Sequence, residues 1–290
     1  MKRSSALLAL HLGALFFGLS GIFGKLALAV PIVIVFGRAL FAVGALAMFT
    51  RVGEKPAAIT WQRCLTLAGA GLLLGGHWWS FFIAVKVSGV AVATLGFASF
   101  PAFTVLLEGM LFKERIRSAE WGVVGLVCLG LILVTPHFDL GNESTIGLAW
   151  AVLSGLLFAL VSVSNRATTV GLKPAQAALW QNLGIVLCTL PLAWPLLAAV
   201  RPLDWLWIGL LGLLCTALAH SLFVASLRVL NARSASVVFA LEPVYGILFA
   251  WWLFGEQPSL RMLFGGALIL LATVLSARLS KHAASVEDIS

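Results

Sequence analysis

Apolar residues run along this chain in blocks of about twenty, parted by short polar connections. A bilayer core about 30 Å thick takes roughly 20 helical residues. On that measure ten blocks qualify, at about 6–26, 32–50, 64–86, 90–112, 118–136, 146–166, 174–198, 204–228, 232–254 and 260–279. The connections Arg51–Trp61, Lys113–Ser118 and Pro136–Thr145 are too short for a soluble domain. The pattern predicts an all-α polytopic membrane protein with ten transmembrane helices. The first block follows Lys2 and Arg3 and stays apolar to Leu28. That is long for the core of a cleaved signal peptide, so it reads as the first spanning helix. Placing the N-terminus in the cytoplasm puts fourteen Lys/Arg inside and four outside (Lys25, Lys86, Arg201 and Arg261), with Arg38 within a span. This bias predicts both termini on the cytoplasmic side of the membrane.

The blocks repeat. Phe97, Ala98, Pro101, Phe112 and Glu114 return 142 residues later as Phe239, Ala240, Pro243, Phe254 and Glu256. Phe81 and Lys86 return as Phe223 and Arg228 at the same offset. Phe17, Leu19 and Lys25 return as Phe158, Leu160 and Arg166 at 141, and Pro31 as Pro174 at 143. Two units are expected, 1–140 and 141–290, each with five helices. Five is odd, so the second unit enters the membrane from the opposite side. The result is a pair of inverted repeats around a central cavity, the arrangement typical of secondary transporters.

Composition agrees. The 290 residues are 61% hydrophobic and 10% charged, with a mean hydropathy of +1.06. Soluble domains average about 45–50% apolar and about 25% charged. The +8 net charge forms no basic patch, so it points to the lipid bilayer as partner and not to nucleic acid. Cys64, Cys128, Cys188 and Cys215 lie within apolar blocks at spacings that suit neither a metal site nor a disulfide framework.

The polar residues inside the blocks are the candidates for chemistry. Glu242 sits mid-block before Pro243, and the first unit has Phe100 in its place. A carboxylate at that depth costs about 2.5–3.5 kcal/mol on insertion scales, a cost that protonation relieves. Its readings are a proton-coupling acid, an acceptor for a substrate ammonium, or a structural acid bonded to a neighbouring helix. Pro101 and Pro243 each remove a helical hydrogen bond near the bilayer centre, freeing the carbonyls of Phe97 and Phe239. They read as hinges lining a wet cavity, or as plain kinks. Arg38 either binds a substrate carboxylate or is structural. Its repeat mate is Gln181, beside Trp180 and Asn182. His77 and Trp78 lie near the middle of the third block, and His220 is the mate of Trp78. Phe97, Phe100, Phe239 and Tyr245 complete an aromatic pocket or belong to the packed core. Trp61, Trp121, Trp205, Trp207, Trp251 and Trp252 suit interfacial belts. Gly71 and Gly75 form a small-xxx-small pair that predicts close helix approach. Glu114 and Glu256 end their blocks on opposite sides, as gating contacts or as solvated charges.

No nucleotide-binding loop, HExxH pattern or hydrolase triad emerges, so the expectation is a non-enzyme without cofactor, with proton or ion coupling open. With its ten blocks, two five-helix units, the Pro-bearing fourth and ninth blocks ending in Glu114 and Glu256, and the segments Phe82–Gly89 and Phe223–Leu230, the chain resembles the EamA-type branch of the drug/metabolite transporter superfamily. The resemblance covers nearly the whole chain. It implies a ten-helix basket whose cavity is lined chiefly by helices 1, 3, 4, 6, 8 and 9. Phosphate-binding Lys/Arg pairs of the sugar-phosphate carriers in that superfamily are missing, which argues against phosphorylated cargo. The expected function is secondary export of a small amphipathic metabolite such as an amino acid, by a monomer or homodimer. The rivals are export of lipophilic cations, with Glu242 as acceptor and Arg38 structural, and a membrane assembly or lipid-handling protein without solute flux.

Overall fold

The computed structural model describes residues 3–52, 59–113, 115–135, 139, 141–168, 172–227, 230, 238 and 241–287, and among them no strand occurs. Phe239, Glu114 and much of the loops at 51–61 and 136–145 lie outside the described residues. The described helices are α1 Arg3–Leu26, α2 Pro31–Val52, α3 Trp61–Phe97, α4 Phe100–Leu111, α5 Ser118–Val134, α6 Glu143–Thr168, α7 Pro174–Ala193, α8 Pro202–Gly212, α9 Ala219–Leu227, α10 Glu242–Phe254 and α11 Leu260–Glu287. A 3₁₀ turn, Trp194–Ala199, follows α7, and a π turn, Leu213–Leu218, joins α8 to α9. Seven helical spans among the described residues are long and apolar enough to cross a membrane. Helices suit such runs because a lipid environment supplies no hydrogen bonds to the backbone, so each segment must satisfy its own. Pro31, Pro174 and Pro202 stand at the first helical position, where a missing N–H costs nothing.

The structure divides the third and fourth blocks where the sequence reading does. The span α3 is two helices meeting in a kink at Gly89, whose φ of 84° and ψ of 173° are open only to glycine. A second interruption comes at Ala98–Ser99, inside the fourth block, and α4 starts with Pro101 in its first turn. Pro243 likewise opens α10 after Leu241. Each proline therefore stands in the first turn after an interruption of its own block. The expected hinge positions coincide with chain breaks at the same repeat positions.

The first helix of each half lies against the other half. α6 packs along α3 and α4, and α1 packs along α9 and α10. α2 lies on α7 and α8, and α5 on α11. Small residues permit these approaches. A Cβ at Gly18 would come within 2.7 Å of the Glu242 carbonyl oxygen, and one at Gly155 within 3.0 Å of the Phe97 carbonyl oxygen. Each break is thus held against a glycine of the opposite half. The Gly71–Gly75 pair faces α7 as the sequence predicts. A Cβ at Gly71 would collide with the Gln181 backbone, whereas one at Gly44 meets nothing within 4 Å. Gly71→Ala is expected to destabilise the protein by about 1–3 kcal/mol through overpacking, lowering its Tm in detergent, while Gly44→Ala leaves Tm unchanged or raised. Equal melting of both variants would show that the α3–α7 crossing is loose.

The outside of the bundle is apolar, with Trp61, Met110, Trp252 and Leu260 each more than 70% exposed. An apolar surface this extensive is a lipid-facing one. Trp205 and Trp207 depart from the expected belt. Trp205 packs edge-on to Phe41, and Trp207 stacks on Phe23 at 5.9 Å between centroids.

Candidate functional site

The two helix breaks meet at one small cavity. Phe97, Ala98 and Phe100 line it from the first break, Glu242 and Pro243 from the second, and Leu270 and Thr273 from α11. Its volume of about 60 Å³ holds a few water molecules and no metabolite. Glu242 is the first residue of α10, where a carboxylate is favoured by the positive end of the helix dipole.

A ring cluster extends this site. Phe97 and Phe100 stack at 5.4 Å, and Phe158 of α6 meets both edge-on at 5.3 and 5.2 Å. His77 lies 5.0 Å from both Phe97 and Phe158. Its Nδ1 is 2.8 Å from the Ser154 hydroxyl and 3.1 Å from the Ser154 carbonyl. A carbonyl only accepts, so in the neutral ring Nδ1 carries the proton and Nε2 is left as an acceptor. The Ser154 hydroxyl in turn donates to the His77 carbonyl at 3.1 Å.

Arg38 completes the polar part. It is 4% exposed. Its Nε donates to Thr216 Oγ1 at 2.9 Å. Its guanidinium lies over the Trp78 ring, 4.0 Å from the centroid, and 5.9 Å from that of Phe82. No salt bridge joins Arg38 to Glu242 among the described residues. The centre therefore holds one basic and one acidic side chain, with aromatic rings beside both.

Not every candidate gathers here. Gln181 donates to Asn165 Oδ1 at 2.6 Å and lies against Gly71, and Trp180 is its half-buried neighbour on α7. Tyr245 turns to α1, with its hydroxyl 3.1 Å from His11 Nδ1, and so ties two helices together. His220 is on α9, its Nε2 buried without a hydrogen-bond partner among the described residues. Phe158, Ser154 and Thr216 were not legible as site residues. Phe158 carried only its repeat match to Phe17, and small hydroxyl residues in apolar blocks give no sequence signal of their own. Among the described residues no three His, Cys, Asp or Glu side chains converge as a metal would require.

A second feature closes the end of the bundle that carries Lys25. Glu256, just past the αL cap Gly255 of α10, reaches the bend in α3. Its carboxylate accepts from the N–H of Val90 at 3.1 Å and of Ala91 at 3.0 Å, the first donors of the segment after Gly89. Lys25, at the end of α1, donates to the same carboxylate at 2.5 Å and lies 4.6 Å from the Phe254 ring centroid. Nearby, Lys86 Nζ donates to the Ala27 carbonyl, and Asp204 accepts from the Leu28 N–H at 2.9 Å while Arg201 grips it through two hydrogen bonds. A cleft of about 590 Å³, lined in part by Lys25, Lys86, Ser88 and Glu256, opens above this knot.

Comparison with known proteins places this geometry. The sequence model of the EamA-like transporter family matches residues 4–135 and again 145–278. An uncharacterized transporter of the archaeon Archaeoglobus fulgidus is 28% identical over 200 residues, covering 69% of this chain and 71% of that one. A pseudopaline exporter of Pseudomonas aeruginosa is 25% identical over 252 residues, 86% of each chain. An S-adenosylmethionine uptake transporter of Rickettsia felis is 23% identical over 216 residues, 74% of this chain and 72% of that one. A solved crystal structure superposes with a TM-score of 0.66 over 97% of this chain and 99% of the other at 19% identity, a likeness of fold.

Proposed function

The chain belongs to the EamA-like transporter family, a multi-pass membrane transporter and not an enzyme, and from that premise we propose that it exports a small zwitterionic metabolite with an apolar side chain, such as an amino acid. The observation that carries this reading is that the spans hold one basic and one acidic side chain, unbridged and each set among aromatic rings: Arg38 on Trp78, and Glu242 beside Phe97 and Phe100. Arg38 suits a carboxylate and Glu242 an ammonium, and the rings suit an apolar side chain. In the empty state the two charges partly offset each other. Cargo then replaces a long-range interaction with two direct ones.

The mechanism is alternating access between two five-helix units, 1–140 and 141–290. The breaks before Pro101 and Pro243 are the hinges. Both termini face the cytoplasm of a bacterial inner membrane, so the knot of Lys25 and Glu256 closes the outer mouth. The small central cavity and the closed knot together describe an occluded state that opens to admit cargo. Export as the direction follows the relative matched over the larger share of the chain, the pseudopaline exporter. Glu242 is the residue through which a proton couples to transport.

Counterflow in vesicles tests the reading. Purified protein in vesicles preloaded with unlabelled leucine or phenylalanine is expected to accumulate the labelled amino acid saturably. Accumulation of lipophilic cationic dyes with no amino-acid counterflow would overturn the zwitterion in favour of a cation exporter, for which Glu242 and the Phe rings suffice.

A further inference from the structure

The π turn Leu213–Leu218 takes no part in the reading above. Such turns are rare and gather at functional sites. Within it the Thr216 hydroxyl donates to the Leu211 carbonyl at 3.0 Å, five residues back. Its proton is spent there, so its lone pairs are left to accept, and the donor they meet is Arg38 Nε at 2.9 Å. Gly212, just before the turn, brings the backbone of α2 in as well. A Cβ there would lie 2.6 Å from the Arg38 carbonyl oxygen and 2.5 Å from Phe41 Cβ. Helix α8 and its wide turn therefore hold Arg38 at both ends, backbone and Nε, while Trp78 covers one face of the guanidinium.

This leaves the two Nη groups. They find no hydrogen-bond acceptor among the described residues, although the residue as a whole is 4% exposed. A guanidinium with Nε and one face engaged, and its outer fork without a protein acceptor among the described residues, has the donor geometry to receive one planar carboxylate. We propose that Arg38 receives the carboxylate of the cargo and that Thr216 is the residue that positions it. The proposal rests on the zwitterion reading. Without the hydroxyl, Nε–H has no acceptor, and the fork turns to satisfy it at the expense of the carboxylate. A lysine at position 38 offers a point charge and no fork, so it cannot use this support.

The experiment compares phenylalanine, phenylalaninamide (no carboxylate) and phenylpropionate (no ammonium) in vesicles holding the full chain. Thr216→Val is expected to raise KM for phenylalanine and for phenylpropionate about tenfold or more, the worth of one hydrogen bond to a charged group. It leaves phenylalaninamide within about twofold, and Thr216→Ser restores the wild-type pattern. The amide arm shows that the variant is folded and moves cargo. Equal changes for all three probes, or no rescue by serine, would make Thr216 merely structural and overturn the proposal while the transport reading stands. Wild-type protein that moves the amide as well as the amino acid would overturn the carboxylate role of Arg38. Wild-type protein that moves none of the three would sink the zwitterion reading itself, an outcome no defect in a variant can imitate.

Discussion

Glu242→Gln is expected to cut amino-acid counterflow by about ten- to a hundredfold and to flatten its pH profile. Glutamine keeps the shape and the position at the start of α10, so the cavity with Phe97, Phe100 and Thr273 keeps its form. What it loses is the charge. A hydrogen bond to a charged group is worth about 1.5–3 kcal/mol, and each 1.4 kcal/mol is tenfold in affinity or rate. Two further effects act in the same direction. Arg38, buried at 4% exposure, loses an acidic group that offsets its charge. The positive end of the α10 dipole loses its anion. The pH dependence goes because glutamine does not titrate at any pH a vesicle survives, so a proton can no longer be taken up or released at that position. The measurement is the initial rate of labelled phenylalanine counterflow across the physiological pH range in wild type and variant. An unchanged rate with an unchanged profile would make Glu242 a structural acid.

Glu256→Ala is expected to open the end of the bundle that carries Lys25, the outer mouth in the proposed orientation. One carboxylate there takes three donors, Lys25 Nζ and the N–H groups of Val90 and Ala91, and so binds α1, the bend of α3 and the end of α10 together. Its side chain is 17% exposed and that of Lys25 32%, so these bonds are only partly screened by water. Losing even one charge-assisted bond shifts an open–closed equilibrium about tenfold or more. Cys215 reports the change. It is fully buried in the π turn, next to Arg38. In a chain with Cys64, Cys128 and Cys188 replaced by serine, a membrane-impermeant maleimide added outside should label Cys215 about tenfold faster when Glu256 is alanine. Glu256→Gln should fall between the two, since its amide oxygen still accepts from one N–H but cannot pair with Lys25. Equal labelling in all three would show that the knot is surface chemistry with no part in closure.

Much of the frame was legible beforehand because lipid imposes a simple rule. Any segment crossing it must be apolar and must satisfy its own backbone, and both demands write themselves into residue order. The family match over 4–135 and 145–278 follows the repetition already visible in Phe97–Glu114 and Phe239–Glu256. The prolines were legible as weak points, but not as helix starts. Whether a chain bends or restarts at proline depends on what packs there, and here Gly18 and Gly155 of the opposite half press on the breaks. The connection expected before residue 90 is reduced to the single kinked residue Gly89 for a related reason. Glu256, 166 residues away, supplies the cap that lets helix resume directly after Gly89.

The site divides along the same line. Residue order by itself determined an all-helical membrane chain, its repetition, and that Glu242 and Arg38 are the costly charges in its spans. Only the tertiary structure decided which of the candidates meet. It brought Glu242, Phe97 and Phe100 to one cavity and set Arg38 on Trp78. It turned Tyr245 to His11 and held Gln181 on Asn165. It also recruited Ser154, Phe158 and Thr216. The physical reason is that burial cost is a property of one residue and its segment, readable locally, whereas a partner is a property of helix rotation and crossing. Those are set by glycines, wide turns and caps acting between segments far apart in the chain.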